Sequence, residues 1–173
     1  MNATFERLRS REAPELVWMA RMAVETVIAT VPEFEGSAER ARAVFPNLTE
    51  PAMLAMFRSA VEDPSFHFLV ARDEGGAPIG HSIFSMKTDP AGSRYGSFYT
   101  RYVAPEHRRK GVASRMLEIA ERWFSDGGAQ YLSAQTHVTN LALQGLFRSR
   151  GYQVLGVKPG TKVPMLEIRK RTI

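Results

Sequence analysis

The 173-residue sequence predicts a mixed α/β fold: a mostly antiparallel sheet of six to seven strands with helices on both faces. Three observations carry this. Two stretches near the start have helical periodicity, three strand-like runs separated by turn residues follow, and the second half alternates strand and helix. Antiparallel hairpins joined to a strand–helix–strand crossover require a mixed sheet. No linker divides the chain, so residues 1–173 are read as one domain.

Thr4–Arg9 is a short strand. Ala13–Thr30 places Leu16, Val17, Ala20, Val24, Val27 and Ile28 at helical spacing, and Pro32 with the residues to Gly36 ends it. Thr49-Glu-Pro51 opens a second helix, with Thr49 as cap and proline in the first turn, running to about Val61. Phe66–Arg72 and Ile79–Met86 are strands around the turn Glu74–Pro78. After a break at Pro90–Ser93, Ser97–Val103 is a third.

Gly111–Phe124 is the clearest helix. Val112, Met116, Ile119, Ala120 and Trp123 share a broad apolar face with Leu117 and Phe124, and Glu118 stands four residues before Arg122. Asp126-Gly-Gly128 stops it. Tyr131–Thr136 is a strand, and Leu141–Arg150 a short helix with Gly151 as C-terminal cap. Tyr152–Val157 and Val163–Ile168 are strands around the turn Lys158–Thr161.

The absence of cysteine excludes disulfides, thiolate metal sites and a cysteine nucleophile. His107 has no second ligand at metal spacing, so no metal site is read. The N-terminus, Met1–Ser10, lacks the apolar run of a secretory leader. The longest apolar stretch, Leu16–Val31, is interrupted by Arg21 and Glu25. These features predict a cytoplasmic protein without a membrane span. The net charge of +5 favours an anionic partner, whether nucleic acid, membrane surface or phosphorylated cofactor.

The segment Tyr102-Val-Ala-Pro-Glu-His-Arg-Arg-Lys-Gly-Val-Ala-Ser114 decides among these. A strand ends, proline turns the chain, three cations follow, and glycine opens the long helix. The first amides of a helix lack internal partners and carry partial positive charge. Arg108, Arg109 and Lys110 add full charges there. Gly111 lets a ligand approach the backbone, and Ala113 keeps the helix start uncrowded. The chemistry is that of a phosphate or pyrophosphate site. Neither G-x-x-x-x-G-K-[ST] nor a G-x-G-x-x-G following a strand occurs.

Arg108-Arg109-Lys110-Gly111-Val112-Ala113 resembles the first signature of the GNAT superfamily of acetyl-CoA-dependent N-acetyltransferases, Q/R-x-x-G-x-G/A. Asn140 through Phe147 to Gly151-Tyr152 resembles the second. The resemblance covers residues 66–157. It implies a V-shaped splay between the two central parallel strands, Ser97–Val103 and Tyr131–Thr136, with acetyl-CoA as cosubstrate in the opening. It further implies that backbone groups of Arg101, Tyr102 and Val103 pair with the pantetheine as an added strand. Amides of Arg109, Lys110, Gly111, Val112, Ala113 and Ser114 would hold the pyrophosphate beside Arg108. Asn140 would contact the pantetheine, and Phe147 would pack near the thioester.

The reaction implied is direct attack of an amine on the thioester carbonyl, with the oxyanion at a backbone N–H near Val103. The acceptor is a small molecule or protein bearing a primary amine, and a homodimer is a common state of the family. The thiolate-protonating tyrosine of the second signature is Phe147 here, which has no proton to give. Tyr152 is the nearest replacement in sequence, though its place after Gly151 suits a core residue. Tyr99 and His137 are the candidate bases, with His81 in an earlier strand. Glu33 and Glu35 lie in the loop after the first helix, which the resemblance places at the acceptor site, where they would attract an amine. Strict alternation would set Tyr99 and Arg101 on one face and Phe98, Thr100 and Tyr102 on the other.

Phe147 also motivates a second reading, a non-catalytic acyl-CoA-binding module. A third, a basic nucleic-acid-binding domain, draws on Ser93–Tyr102, but no nucleic-acid motif is present.

Overall fold

The protein is described from a computed structural model covering residues 2–172. In chain order the elements are β1 (Thr4–Leu8), α1 (Glu15–Thr30), α2 (Ala38–Val44), α3 (Glu50–Ala60), β2 (Phe66–Arg72), β3 (Pro78–Thr88) and β4 (Arg94–Val103). They continue with α4 (Val112–Asp126), β5 (Tyr131–His137), α5 (Leu141–Ser149), β6 (Gln153–Val157) and β7 (Met165–Arg171). Short 3-10 turns span Pro32–Phe34 and Pro105–His107.

The seven strands form one sheet in the order β1-β2-β3-β4-β5-β7-β6. Every neighbouring pair is antiparallel except β4 and β5, which the α4 crossover makes parallel. The expected mixed, mostly antiparallel fold with helices on both faces is what forms.

β2 shows how the sheet divides two cores. Leu69 and Ala71 face Val112, Met116, Leu117, Ala120 and Phe124 of α4. Phe68 and Val70 face Leu16, Met19 and Ala20 of α1 and Phe57 of α3. A strand covered on both faces is apolar at nearly every position, which explains the run Phe66-His-Phe-Leu-Val-Ala71.

Two features depart from the sequence reading. The sequence pattern marks no helix between Gly36 and Thr49, where α2 forms. α2 is seven residues long, buries only Ala41, and is capped by the Ser37 hydroxyl accepting from the Arg40 amide. A helix resting on its cap and one buried alanine has too little apolar periodicity to register. Second, β4 is bulged. Phe84 pairs with Phe98 and Ile83 with Thr100, so Tyr99 is an extra residue. The bulge breaks the expected alternation and puts Phe98 and Arg101 on the same face, where both meet Phe147.

Candidate functional site

β4 and β5 pair only at Tyr95–Tyr131, Gly96–Leu132 and Ser97–Ser133. Beyond these three pairs the strands diverge, leaving the edge of β4 from Phe98 to Val103 without ladder partners from β5. The separation begins one residue before the bulge at Tyr99, which bends β4 away. Gly96, the middle of the three pairs, is glycine because Phe124 packs against its Cα: a Cβ there would lie 2.6 Å from the ring.

At the C-terminal end of β4 the chain turns through Pro105–His107 into α4. Arg109 and Gly111 both have positive φ, 61° and 83°. Left-handed residues in a turn are the backbone feature of amide nests that bind anions. Gly111 is the N-cap of α4 and provides no side-chain cap. Among the described residues, no amide from Arg109 to Ser114 finds an acceptor. Arg109, Lys110 and Gly111 are exposed, and a Cβ on Gly111 would meet nothing within 4 Å. Glycine is therefore required by its backbone angle, with open space above it. Unpartnered amides, the positive end of a 15-residue helix and flanking cations fit a diphosphate. Arg108 is committed elsewhere through its Nε, which donates to the Val103 carbonyl at 2.9 Å.

The splay opens into a cleft of about 940 Å³. Its walls include Phe98–Arg101 of β4, Ala134–His137 of β5, Asn140, Leu143 and Phe147 near and in α5, and Val27 and Met53 of α1 and α3. Phe45–Leu48 and Gly160–Val163 close one side. These last contributors come from distant segments with no motif, and no signal in the sequence marks them.

The structure gathers Tyr99, Arg101, His137, Asn140 and Phe147 on this one cleft. Tyr99 is 43% exposed, its hydroxyl 3.4 Å from Ser85 Oγ and its ring under the Lys87 ammonium. Asn140 caps α5, its Oδ1 accepting from the Leu143 amide. Phe147 is buried, with its ring 5.5 Å from Phe98 and 4.8 Å from Tyr152.

His137 is also buried, and both its ring nitrogens are engaged. The Thr139 amide donates to Nδ1 at 3.2 Å, so Nε2 carries the proton and donates to Glu33, 3.0 Å from Oε2. This pair ties the Pro32–Phe34 turn to the end of β5. The amide of its own backbone, and then His137, hold the Glu33 carboxyl below its usual value. Glu35 is ion-paired with Arg40.

Two other residues stand outside the cleft lining. His81 is fully buried between Trp18 and Tyr102. Tyr152 packs in the α4–α5 core, where burial first, and then the charge of Glu121, push its hydroxyl well above the usual tyrosine value.

The profile of the acetyltransferase (GNAT) family matches residues 28–152, well over half of the chain, and the chain belongs to that family. Similar solved structures agree in fold. The PaiA N-acetyltransferase from Thermoplasma acidophilum, in complex with coenzyme A, shares 16% identity. It superimposes with a TM-score of 0.74 over 99% of this chain and 100% of that one. A chain of the NatC complex bound to Gag peptide and CoA has 15% identity, full coverage of both chains and a TM-score of 0.74. Spermidine N-acetyltransferase from Vibrio cholerae, in complex with CoA and spermine, has 16% identity and a TM-score of 0.69, covering 98% of this chain and 95% of that one.

Proposed function

We propose that this protein is an N-acetyltransferase that moves the acetyl group of acetyl-CoA to a primary amine by direct attack. One observation carries the reading: a cradle of unpartnered amides at the start of α4, joined by the open edge of β4 to a deep apolar cleft. The solved CoA complexes of the same fold and the family membership support the same cosubstrate. Acetyl-CoA supplies the acyl group when bound. The amides of Arg109–Ser114 hold its pyrophosphate with Arg109 and Lys110 alongside. The unpaired edge of β4 at Arg101–Val103 takes the pantetheine as an extra strand, and Asn140 lies opposite.

A backbone N–H near Val103 receives the developing oxyanion. His137, fixed by Thr139 and Glu33, holds the acceptor-side loop in place, leaving Tyr99 as the exposed hydroxyl through which water takes the amine proton. Phe147 donates no proton, so the departing thiolate is protonated by water. The thiol–thiolate balance lies close enough to neutral pH for this to suffice.

Isothermal titration with acetyl-CoA at two salt concentrations is the first test, followed by thiol release across a panel of amines. One site per chain and amine-dependent thiol release are expected. No binding would overturn the reading. Tight binding with no transfer to any amine would instead favour the non-catalytic acyl-CoA-binding module that Phe147 suggests.

A further inference from the structure

The charge on the cleft walls is one-sided. Among the described residues no aspartate or glutamate lines it, whereas Arg101 and Lys162 do. Lys162 is engaged: its Nζ donates to the Val44 carbonyl at 2.9 Å. Arg101 is not. Its guanidinium carbon lies 5.0 Å from the Phe98 ring and 4.9 Å from the Phe147 ring, and its Nε is buried with no hydrogen-bond partner. The carboxylate whose charge reaches it is Glu121. That group is already taken, with Oε2 at 2.6 Å from Arg150 and Oε1 at 2.9 Å from Lys170. Arg101 as a whole is half-buried, but its guanidinium stem sits between the two rings, and desolvation there with no paired counter-ion lowers its pKa to about 10, even with Tyr152 and Glu121 acting the other way. A cation kept in such surroundings is costly unless an anion completes it.

We propose that Arg101 is a carboxylate-binding residue, so that the substrate entering this cleft carries a carboxylate. The inference rests on the transferase reading and names the substrate class for it. The planar guanidinium matches a carboxylate through two parallel hydrogen bonds, and the apolar walls strengthen the pairing. The carboxylate belongs either to the acyl group, as in a dicarboxylic acyl thioester, or to the acceptor, as in an α-amino acid with an apolar side chain. A polyamine fits poorly, because its charges would face Arg101 with no wall carboxylate to receive them.

Calorimetry on the full chain distinguishes the sources. The acyl arm compares succinyl-CoA with acetyl-CoA. The acceptor arm, run with CoA present, compares L-phenylalanine with 2-phenylethylamine. In at least one arm the carboxylate-bearing probe is expected to bind about tenfold tighter or more, the scale of a charge-assisted hydrogen bond. That ratio should fall to about one in Arg101→Gln and be partly kept in Arg101→Lys, which retains the charge and guards against a variant that fails to fold. The arm that discriminates identifies the owner of the carboxylate. Equal or undetectable preference in both arms, or a preference that survives in Arg101→Gln, overturns the proposal. Failure of the transferase reading looks different: acetyl-CoA itself would not bind.

Discussion

Gly111 and Phe147 illustrate two kinds of information a single residue can carry. Gly111 has a φ of 83° and nothing within 4 Å of a Cβ, so the two costs of replacing it can be separated. Gly111→Ala adds only backbone strain, about 1 kcal/mol, and should lower the melting temperature slightly while keeping acetyl-CoA affinity. Gly111→Glu adds the same strain and also sets a carboxylate against the bound pyrophosphate. Its affinity is expected to drop by roughly 100-fold or more, since opposed like charges cost several kcal/mol. Calorimetry on both variants decides, and unchanged affinity in Gly111→Glu would mean the cofactor lies elsewhere. Phe147 is fully packed, yet its ring lies on the cleft wall beneath Arg101. Phe147→Tyr should fold, and its turnover rises only where thiolate protonation limits the rate, by no more than the roughly 10²–10⁴-fold that a general acid contributes. A collapsed thermal transition in that variant would show that the packing leaves no room for the hydroxyl.

Among the elements, the short seam between β4 and β5 is where packing bears most directly on the proposed site. Gly96→Ala pushes a methyl against the buried Phe124 ring in the middle of the three-pair seam. Overpacking of this kind costs about 1–3 kcal/mol, so the melting temperature should fall and acetyl-CoA affinity with it. A variant as stable as the parent would show that β4 shifts freely there. The element scale is also where the sequence was most and least legible. α4 was readable because Val112, Met116, Ala120 and Phe124 recur at helical spacing against a charged opposite face. The cradle was readable because proline, three cations and glycine are contiguous in the chain. The bulge at Tyr99 was not, because it exists only relative to the register with β3, which no local pattern encodes. The His137–Glu33 pair joins residues 104 apart in the chain, so each could be suspected alone but their contact could not.

For the whole molecule, the two cores on either side of the sheet set its response to acid. Burial holds the His67 imidazole at about 4, with Arg7 and Arg9 adding to the effect, and holds His81 at about 3. An unfolded histidine titrates near 6.5. Both groups therefore stay neutral in the folded protein while the unfolded chain takes up protons below about pH 6.5. Their contribution is fully present above that pH and is lost as pH falls toward 4 and then 3. Each costs up to about 1.4 kcal/mol per pH unit over this range. Urea midpoints at pH 7 and pH 5 should differ accordingly, and a His67→Phe, His81→Phe double variant should flatten the difference. An equally steep loss in the double variant would assign the acid sensitivity to other groups. Among the described residues no helix is long and apolar enough to cross a membrane.

Among the described residues, three residue pairs join β1–β4 to β5–β7 along the sheet. Mechanically these are two half-sheets sharing a short seam, and a pantetheine laid along β4 would act as a removable strand between them. The resting molecule would then owe part of its cohesion to its own substrate. Amide exchange on the facing edges should slow as the cosubstrate is added, following its concentration by mass action, and each turnover would briefly unlatch the sheet when product departs.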